Sequence, residues 1–283
     1  DHPLDLPGAA LITGGLGLVT YALTAAGEHG GLANPGLLAL GAALIAAFIL
    51  WQARIANPMV PLGLFRDRGF AGANIATALI YLALSAILFF LPMTLIAGWG
   101  LAEIWASAAF APLSILIPVL SAPAGRLADR YGAGPLIGLG AACVAVSFAA
   151  LAAVVPVGPT ALWWGVLPAT ALMGFGMGLV VAPLSTAIMT SVPTDRSGVA
   201  SGINNAVSRV AGLIAVAALG SVAGGVYAVA GGTESFGALS DAAGHAEAMR
   251  RGFQAVAVIT AALTAIGAVT AWVLIPRRVP LDR

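Results

Sequence analysis

Charge is what this sequence has least of. Asp, Glu, Lys and Arg together make up 8% of its 283 residues, lysine is absent, and histidine occurs three times. A soluble domain carries charge on roughly a quarter of its residues, so a surface built for water is excluded. The single cysteine, Cys143, lies in an apolar run, which excludes an internal disulfide and a Cys-x-x-Cys metal site. A net charge of +1 offers no footing for nucleic acid. No basic segment with a cleavage site precedes the first apolar run, so nothing reads as a signal peptide. The chain starts at Asp1 rather than Met, and the simplest expectation is that the N-terminal part of a longer protein precedes it.

What remains is apolar: 60% hydrophobic residues and a mean hydropathy of +1.01. Eight long runs fill the chain, at about 8–26, 36–53, 69–93, 104–124, 135–155, 161–190, 199–228 and 252–275. Each is long enough to cross a hydrocarbon core about 30 Å thick at about 1.5 Å per helical residue. Seven contain no Asp, Glu, Lys or Arg, and the seventh in order contains Arg209 alone. In lipid the backbone must satisfy its own hydrogen bonds, so runs of this length are helices. Transmembrane strands would be shorter and would alternate polar with apolar residues. The sequence thus predicts an all-α polytopic membrane protein with eight transmembrane helices and the lipid bilayer as its solvent.

Eight crossings put both termini on one side. The connections on that side hold Arg66, Arg68, Arg126, Arg130, Arg196, Arg277, Arg278 and Arg283, with Arg54 at a span end; the opposite side holds Arg250 and Arg251. Eight against two is a positive-inside bias and predicts cytoplasmic termini. In the long outer connection, 229–251, residues Ala238 to Arg251 are expected to form a short surface helix.

Two organisational units are expected. The first two spans are joined by a glycine-rich turn, Gly27 to Gly36. They are followed by the segment from Asn57 to Arg68, which holds two prolines, apolar residues suited to an interface and a charged cluster. Residues 1–68 form the first unit and the six-helix bundle 69–283 the second. Small residues recur every four positions in the sixth span (Thr170, Gly174, Gly178, Ala182, Thr186), and Gly220 and Gly224 form a GxxxG in the seventh; both read as close helix packing. Gly174 to Gly178 superficially matches a nucleotide loop, but no strand precedes it and packing is the better reading. Pro112, Pro118, Pro168 and Pro183 fall within spans, either bending helices around a site or giving simple curvature.

Chemistry is sparse. In the third span Asn74, Thr77, Tyr81 and Ser85 occupy an arc of roughly 80° at about 100° per residue. A polar stripe in lipid faces the bundle interior or water, so these residues are candidates to line a central aqueous cavity. Ser107, Ser114 and Ser121 form a second stripe; bonding to their own preceding carbonyls is the competing reading. The seventh span opens with Ser201, Asn204, Asn205 and Ser208 and then Arg209, and of these Asn204, Asn205 and Arg209 are further candidates to line the cavity. Arg209 is either a functional charge or a side chain that snorkels to the interface. His2, His29 and His245 all fall in connections or at the terminus, and neither an acidic pair nor a metal-ligand cluster lies in a span. An enzyme, a metal and a cofactor are therefore not expected.

The sharpest local signal is the connection after the fourth span, Gly125-Arg126-Leu127-Ala128-Asp129-Arg130-Tyr131-Gly132. Glycines permit a tight turn, Asp129 is suited to a helix N-terminus, and Arg130 to an acid or to helix-end carbonyls. It is either a charge-relay latch on a moving bundle or a topology-setting basic loop with a capping Asp.

This GxxxDRxG between membrane helices resembles the motif of major facilitator superfamily transporters. Asp5-Leu6-Pro7-Gly8 with Tyr21-Ala22-Leu23, then Asn57-Pro58-Met59-Val60-Pro61-Leu62 with Leu64-Phe65-Arg66, and Ser201-Gly202-Ile203-Asn204-Asn205 through Arg209 and Gly212, are similar to segments of its fourteen-helix drug:proton antiporter subfamily. The resemblance implies two extra central helices followed by the C-terminal six-helix half, with the N-terminal half, its antiporter signature and its proton-carrying acids outside this chain. It implies Gly125, Asp129, Arg130 and Gly132 as conformational-latch residues. Ala133, Gly134 and Pro135 stand where the motif often continues with basic residues. The implied activity is alternating-access, proton-coupled efflux of small hydrophobic or amphiphilic compounds across a bacterial inner membrane. An uptake permease or symporter, and a non-transporting membrane scaffold or receptor, are the alternatives.

Overall fold

The computed structural model describes residues 5–28, 34–55 and 58–276. His2, His29, Asn57, Arg277, Arg278, Arg283 and part of the Gly27–Gly36 turn lie outside them. Among the described residues the chain forms α1 (Leu6–Glu28), α2 (Pro35–Gln52), α3 (Arg68–Ala97), α4 (Glu103–Ala108), α5 (Ala111–Tyr131), α6 (Ala133–Val154), α7 (Leu167–Thr190), α8 (Ser197–Val229) and α9 (His245–Leu274), and no strand. Eight spans are long and apolar enough to cross a bilayer: α4 with α5 make the fourth, and α7 with the turns before it the sixth. The all-α polytopic architecture expected from hydropathy is the one the backbone adopts.

Prolines punctuate the spans. Pro112 stands in the first turn of α5, where its missing N–H needs no partner. The chain bridges from α4 through a tight turn in which Phe110 N donates to Ser107 O at 3.0 Å. Pro168 likewise stands in the first turn of α7, after a π turn at Leu162–Val166. Pro118 and Pro183 lie inside helices that continue past them. The short surface helix expected at 238–251 is not formed. Gly244, with φ +85°, turns the chain directly into α9, whose first turns belong to the same continuous helix as the last span. The ion pairs of Glu247 with Arg250 and Arg251 hold those turns helical without lipid.

The bundle is held by close backbone approach. α6 packs along α7 and α9, α5 along α7, and α3 along α8 and α9. α1 pairs with α2 and leans on α8. A Cβ on Gly140 of α6 would lie 2.5 Å from Gly176 O of α7, and one on Gly176 equally close to Gly140 O. Two residues either side, Gly174 and Gly178 turn to α5: a Cβ there would meet Leu113 Cα at 2.8 Å or Leu120 Cβ at 2.7 Å. The alternating glycines of α7 thus serve two neighbours at once, and packing accounts for them. On the outside Val119 (61% exposed) and Val269 (63%) present apolar surface of the kind acyl chains cover.

Polar contacts tie the helix ends. At the arginine-rich end Asp5 caps α1, accepting from Gly8 N at 2.9 Å, and also accepts from Trp51 Nε1 at 2.9 Å and Gln52 Nε2 at 2.6 Å of α2. Desolvation acts to raise the Asp5 carboxyl; these three hydrogen bonds outweigh it and hold the group below the ordinary carboxylate range. Asp67 caps α3 through Phe70 N at 2.9 Å. At the opposite end Trp99 Nε1 donates to Val155 O at 3.1 Å and Gln254 Nε2 to Ala152 O at 3.0 Å. His245, expected in a loop, instead starts α9 and is buried, with its Nδ1 2.7 Å from Tyr227 Oη. The sequence shows the charged residues around it but not that Tyr227 of α8 reaches across to it.

Candidate functional site

In the first half of α8, Ser201, Asn204, Asn205, Ser208 and Arg209 stand at helical spacings of three, four, seven and eight from the first, so they share one face. Facing them are Tyr81 and Ser85, one turn apart on α3, and Ser185 on α7. Together with Gly202 and Gly212 these residues line a groove of about 770 Å³. It runs from Gly212, near the middle of α8, towards Ser201, near its start. Gly212 is what admits α3 here, since a Cβ at that position would come 2.8 Å from Ser85 Oγ.

The sequence reading proposed seven lining residues, and the structure divides them. Tyr81, Ser85, Asn204, Asn205 and Arg209 line the groove. Asn74 and Thr77 do not. Both are buried, at 3% and 0% exposure, where α3 meets α8. Asn204 Nδ2 donates to Thr77 Oγ1 at 2.7 Å and to Asn74 Oδ1 at 3.3 Å. Thr77 in turn donates to Ala73 O at 2.8 Å and Asn74 Nδ2 to Phe70 O at 2.9 Å. Every donor in this trio has an acceptor, as a buried polar cluster requires. The α3 stripe is continuous in sequence, but its lower part makes a helix contact and its upper part makes a wall.

Ser185 was missed by the sequence reading, because a lone serine in an apolar helix carries no pattern; its hydroxyl donates to Val181 O at 3.1 Å. Ser208 donates to Asn205 O at 2.8 Å. The second serine stripe does not join this groove: Ser121 bonds its own Ile117 carbonyl at 2.6 Å, and Ser107 and Ser114 are exposed on α4 and α5. Arg209 is exposed within the groove, and among the described residues no carboxylate pairs with it. The lining offers hydroxyls, amides, one phenol and one guanidinium. Such a set binds and orients through hydrogen bonds and charge.

The GxxxDRxG residues sit elsewhere and differently from expectation. Gly125 to Tyr131 are helical, forming the last two turns of α5 rather than a loop. Only Gly132, with φ +88°, makes the turn into α6, its N–H donating to Ala128 O at 2.8 Å. Ala124 and Ala128 pack with Leu136 of α6 and Leu179 of α7, which keeps the helix wound to its end. Asp129 and Arg130 are exposed; Arg130 lies 5.4 Å from the Tyr131 ring, and among the described residues the Asp129 carboxylate has no hydrogen-bond partner. None of Gly125, Asp129, Arg130 and Gly132 lines the groove.

Comparison with known proteins gives this arrangement a family. The chain is 30% identical over 281 residues to a puromycin resistance protein of Streptomyces alboniger, covering 97% of this chain and 54% of that protein. It is 32% identical over 227 residues to a cephamycin export protein of Amycolatopsis lactamdurans, covering 78% and 46%. It is 28% identical over 221 residues to a methylenomycin A resistance protein of Streptomyces coelicolor, covering 77% and 46%. The chain therefore spans about half the length of these relatives. Residues 8–216 match the sequence profile of the Major Facilitator Superfamily, and this eight-span helical chain belongs to that superfamily of membrane transporters.

Proposed function

We propose that this chain is the C-terminal portion of a proton-coupled exporter of drugs or amphiphilic metabolites, of the fourteen-helix subfamily. Residues 1–68 contribute two central helices with their linker, and residues 69–283 the C-terminal six-helix half. An N-terminal six-helix half, outside this chain, supplies the proton-carrying acids. The protein spans a bacterial inner membrane with both termini of this chain cytoplasmic. The observation that carries the reading is the groove: in a bundle otherwise packed by apolar and small side chains, it gathers polar groups from α3, α7 and α8 around about 770 Å³. Relatives named for antibiotic resistance and export support efflux as its direction.

In this reading substrate binds in the groove near the midplane and faces alternate sides as the two halves rock. Asn204, anchored on Asn74 and Thr77, fixes the α3–α8 crossing so that one wall moves as a unit. Asp129 and Arg130, exposed at the end of α5, hold one conformation by pairing with groups of the other half. The full-length protein, expressed in a drug-susceptible host, lowers the accumulation of a fluorescent dye, and an uncoupler abolishes the effect. Unchanged accumulation across a broad compound panel favours an uptake permease or a non-transporting scaffold.

A further inference from the structure

We infer that the groove carries an anion subsite at Arg209 and that its preferred substrates bear a carboxylate or similar negative group on an apolar body. The inference rests on reading the groove as the substrate site and adds the charge of what it takes.

Three observations lead there. Arg209 is the thirteenth of the 33 residues of α8, about 18 Å from the helix start at about 1.5 Å per residue. If this helix, about 50 Å long, is centred on a core of about 30 Å, the Arg209 backbone lies about 8 Å inside the hydrocarbon edge. A charge at that depth is retained only with a partner or water beside it. Second, among the described residues no carboxylate lines the groove, and those described sit at helix ends or in connections, so the described lining is net positive. Third, helical side chains lean towards the N-terminus of their helix, so the guanidinium of Arg209 leans towards the turns that carry Asn205 and Ser208. There a planar fork of donors beside the Asn205 side-chain amide matches a carboxylate. The Ser208 hydroxyl already donates to Asn205 O and is left able to accept from a bound water or substrate N–H. The rest of the described lining of this chain supplies no second charge that would select a cation.

The test uses the full-length protein in nanodiscs of uncharged lipid and two probes that differ by one charge, dansylglycine and its neutral carboxamide. Binding is read by dansyl fluorescence. Wild type is expected to bind the carboxylate at least tenfold more tightly than the amide. Arg209→Gln is expected to lower that preference at least tenfold, and Arg209→Lys to recover part of it. Asn205→Asp, which sets a carboxylate one turn from Arg209, is expected to remove the preference by occupying the guanidinium, and it tests the idea should Arg209→Gln fail to fold. Equal binding of both probes by wild type overturns the inference. So does an Arg209→Gln variant that weakens both probes alike, which assigns the arginine to an acidic side chain of the protein itself. Dye efflux is scored separately: loss of efflux with the carboxylate preference intact rejects the exporter reading and leaves the subsite, and efflux without the preference does the reverse.

Discussion

Asn204 and Thr77 lie 127 positions apart in the chain and meet at 2.7 Å. Their contact joins α3 to α8 at a residue that itself lines the groove, so the wall of the candidate site and the buried helix contact share one hydrogen-bonded side chain. Removing either partner is expected to cost about 1 kcal/mol, within the range for interhelical hydrogen bonds in lipid. Thermal unfolding in detergent of Asn204→Ala, Thr77→Val and the double variant checks this. The double variant should be less destabilised than the two single changes summed, whereas strict additivity would mean the two side chains do not interact.

The α6–α7 crossing depends on two missing side chains. Gly176→Ala forces a Cβ against Gly140 O, where it would lie at 2.5 Å, and is expected to destabilise by about 1–3 kcal/mol through overpacking. Gly225→Ala, where a Cβ meets nothing within 4 Å, is the matched control and should melt with wild type or slightly above it.

Tyr227 and His245 close the opposite end of the bundle, 1% and 2% exposed. Among the described residues His245 Nε2 has no hydrogen-bond partner, so Tyr227→Phe leaves neither ring nitrogen with one. A loss of about 1–3 kcal/mol follows, as for other buried groups deprived of their partner. Adding His245→Leu should restore part of it, which melting of the single and double variants measures.

Asp5 makes the α1–α2 pair sensitive to acid. Its carboxyl is held below the ordinary range in the fold, so folding favours the charged form. The contribution is fully present above the unfolded-state value and is lost as pH falls through the lower folded-state value. Wild type should lose this increment of melting temperature on acidification, and Asp5→Ala, lacking it at every pH, should show a shallower dependence. Parallel pH curves would contradict the assignment.

The spans were legible because lipid demands long uninterrupted hydropathy and admits one backbone solution. The small-residue stripe of α7 was legible as packing for a related reason: glycines in register have few other uses within a membrane helix. Which of two neighbouring helices each glycine meets was not legible. The same limit divided the α3 stripe. Periodicity puts Asn74, Thr77, Tyr81 and Ser85 on one face, but it does not say where along that face α8 crosses, and the crossing separates the buried pair from the lining pair. Asp129 and Arg130 read as loop residues because charge interrupts hydropathy; the helix continues beneath them because Ala124 and Ala128 still have α6 and α7 to pack against. Ser185 and the His245–Tyr227 contact carry no local pattern, being products of tertiary folding alone.

The most direct test of the groove as a water-filled substrate site is cysteine accessibility along α8. In the full-length protein, with Cys143 and any cysteine outside this chain replaced by alanine, single cysteines at Ser201, Asn205 and Ser208 should react with a membrane-impermeant maleimide. Cysteines at Ile203, Ala211 and Ala215, which are 6%, 6% and 0% exposed, should resist it. An exported dye in excess should slow the reaction at positions 205 and 208. Resistance at all three groove positions, or labelling that ignores the helical face, would contradict the account.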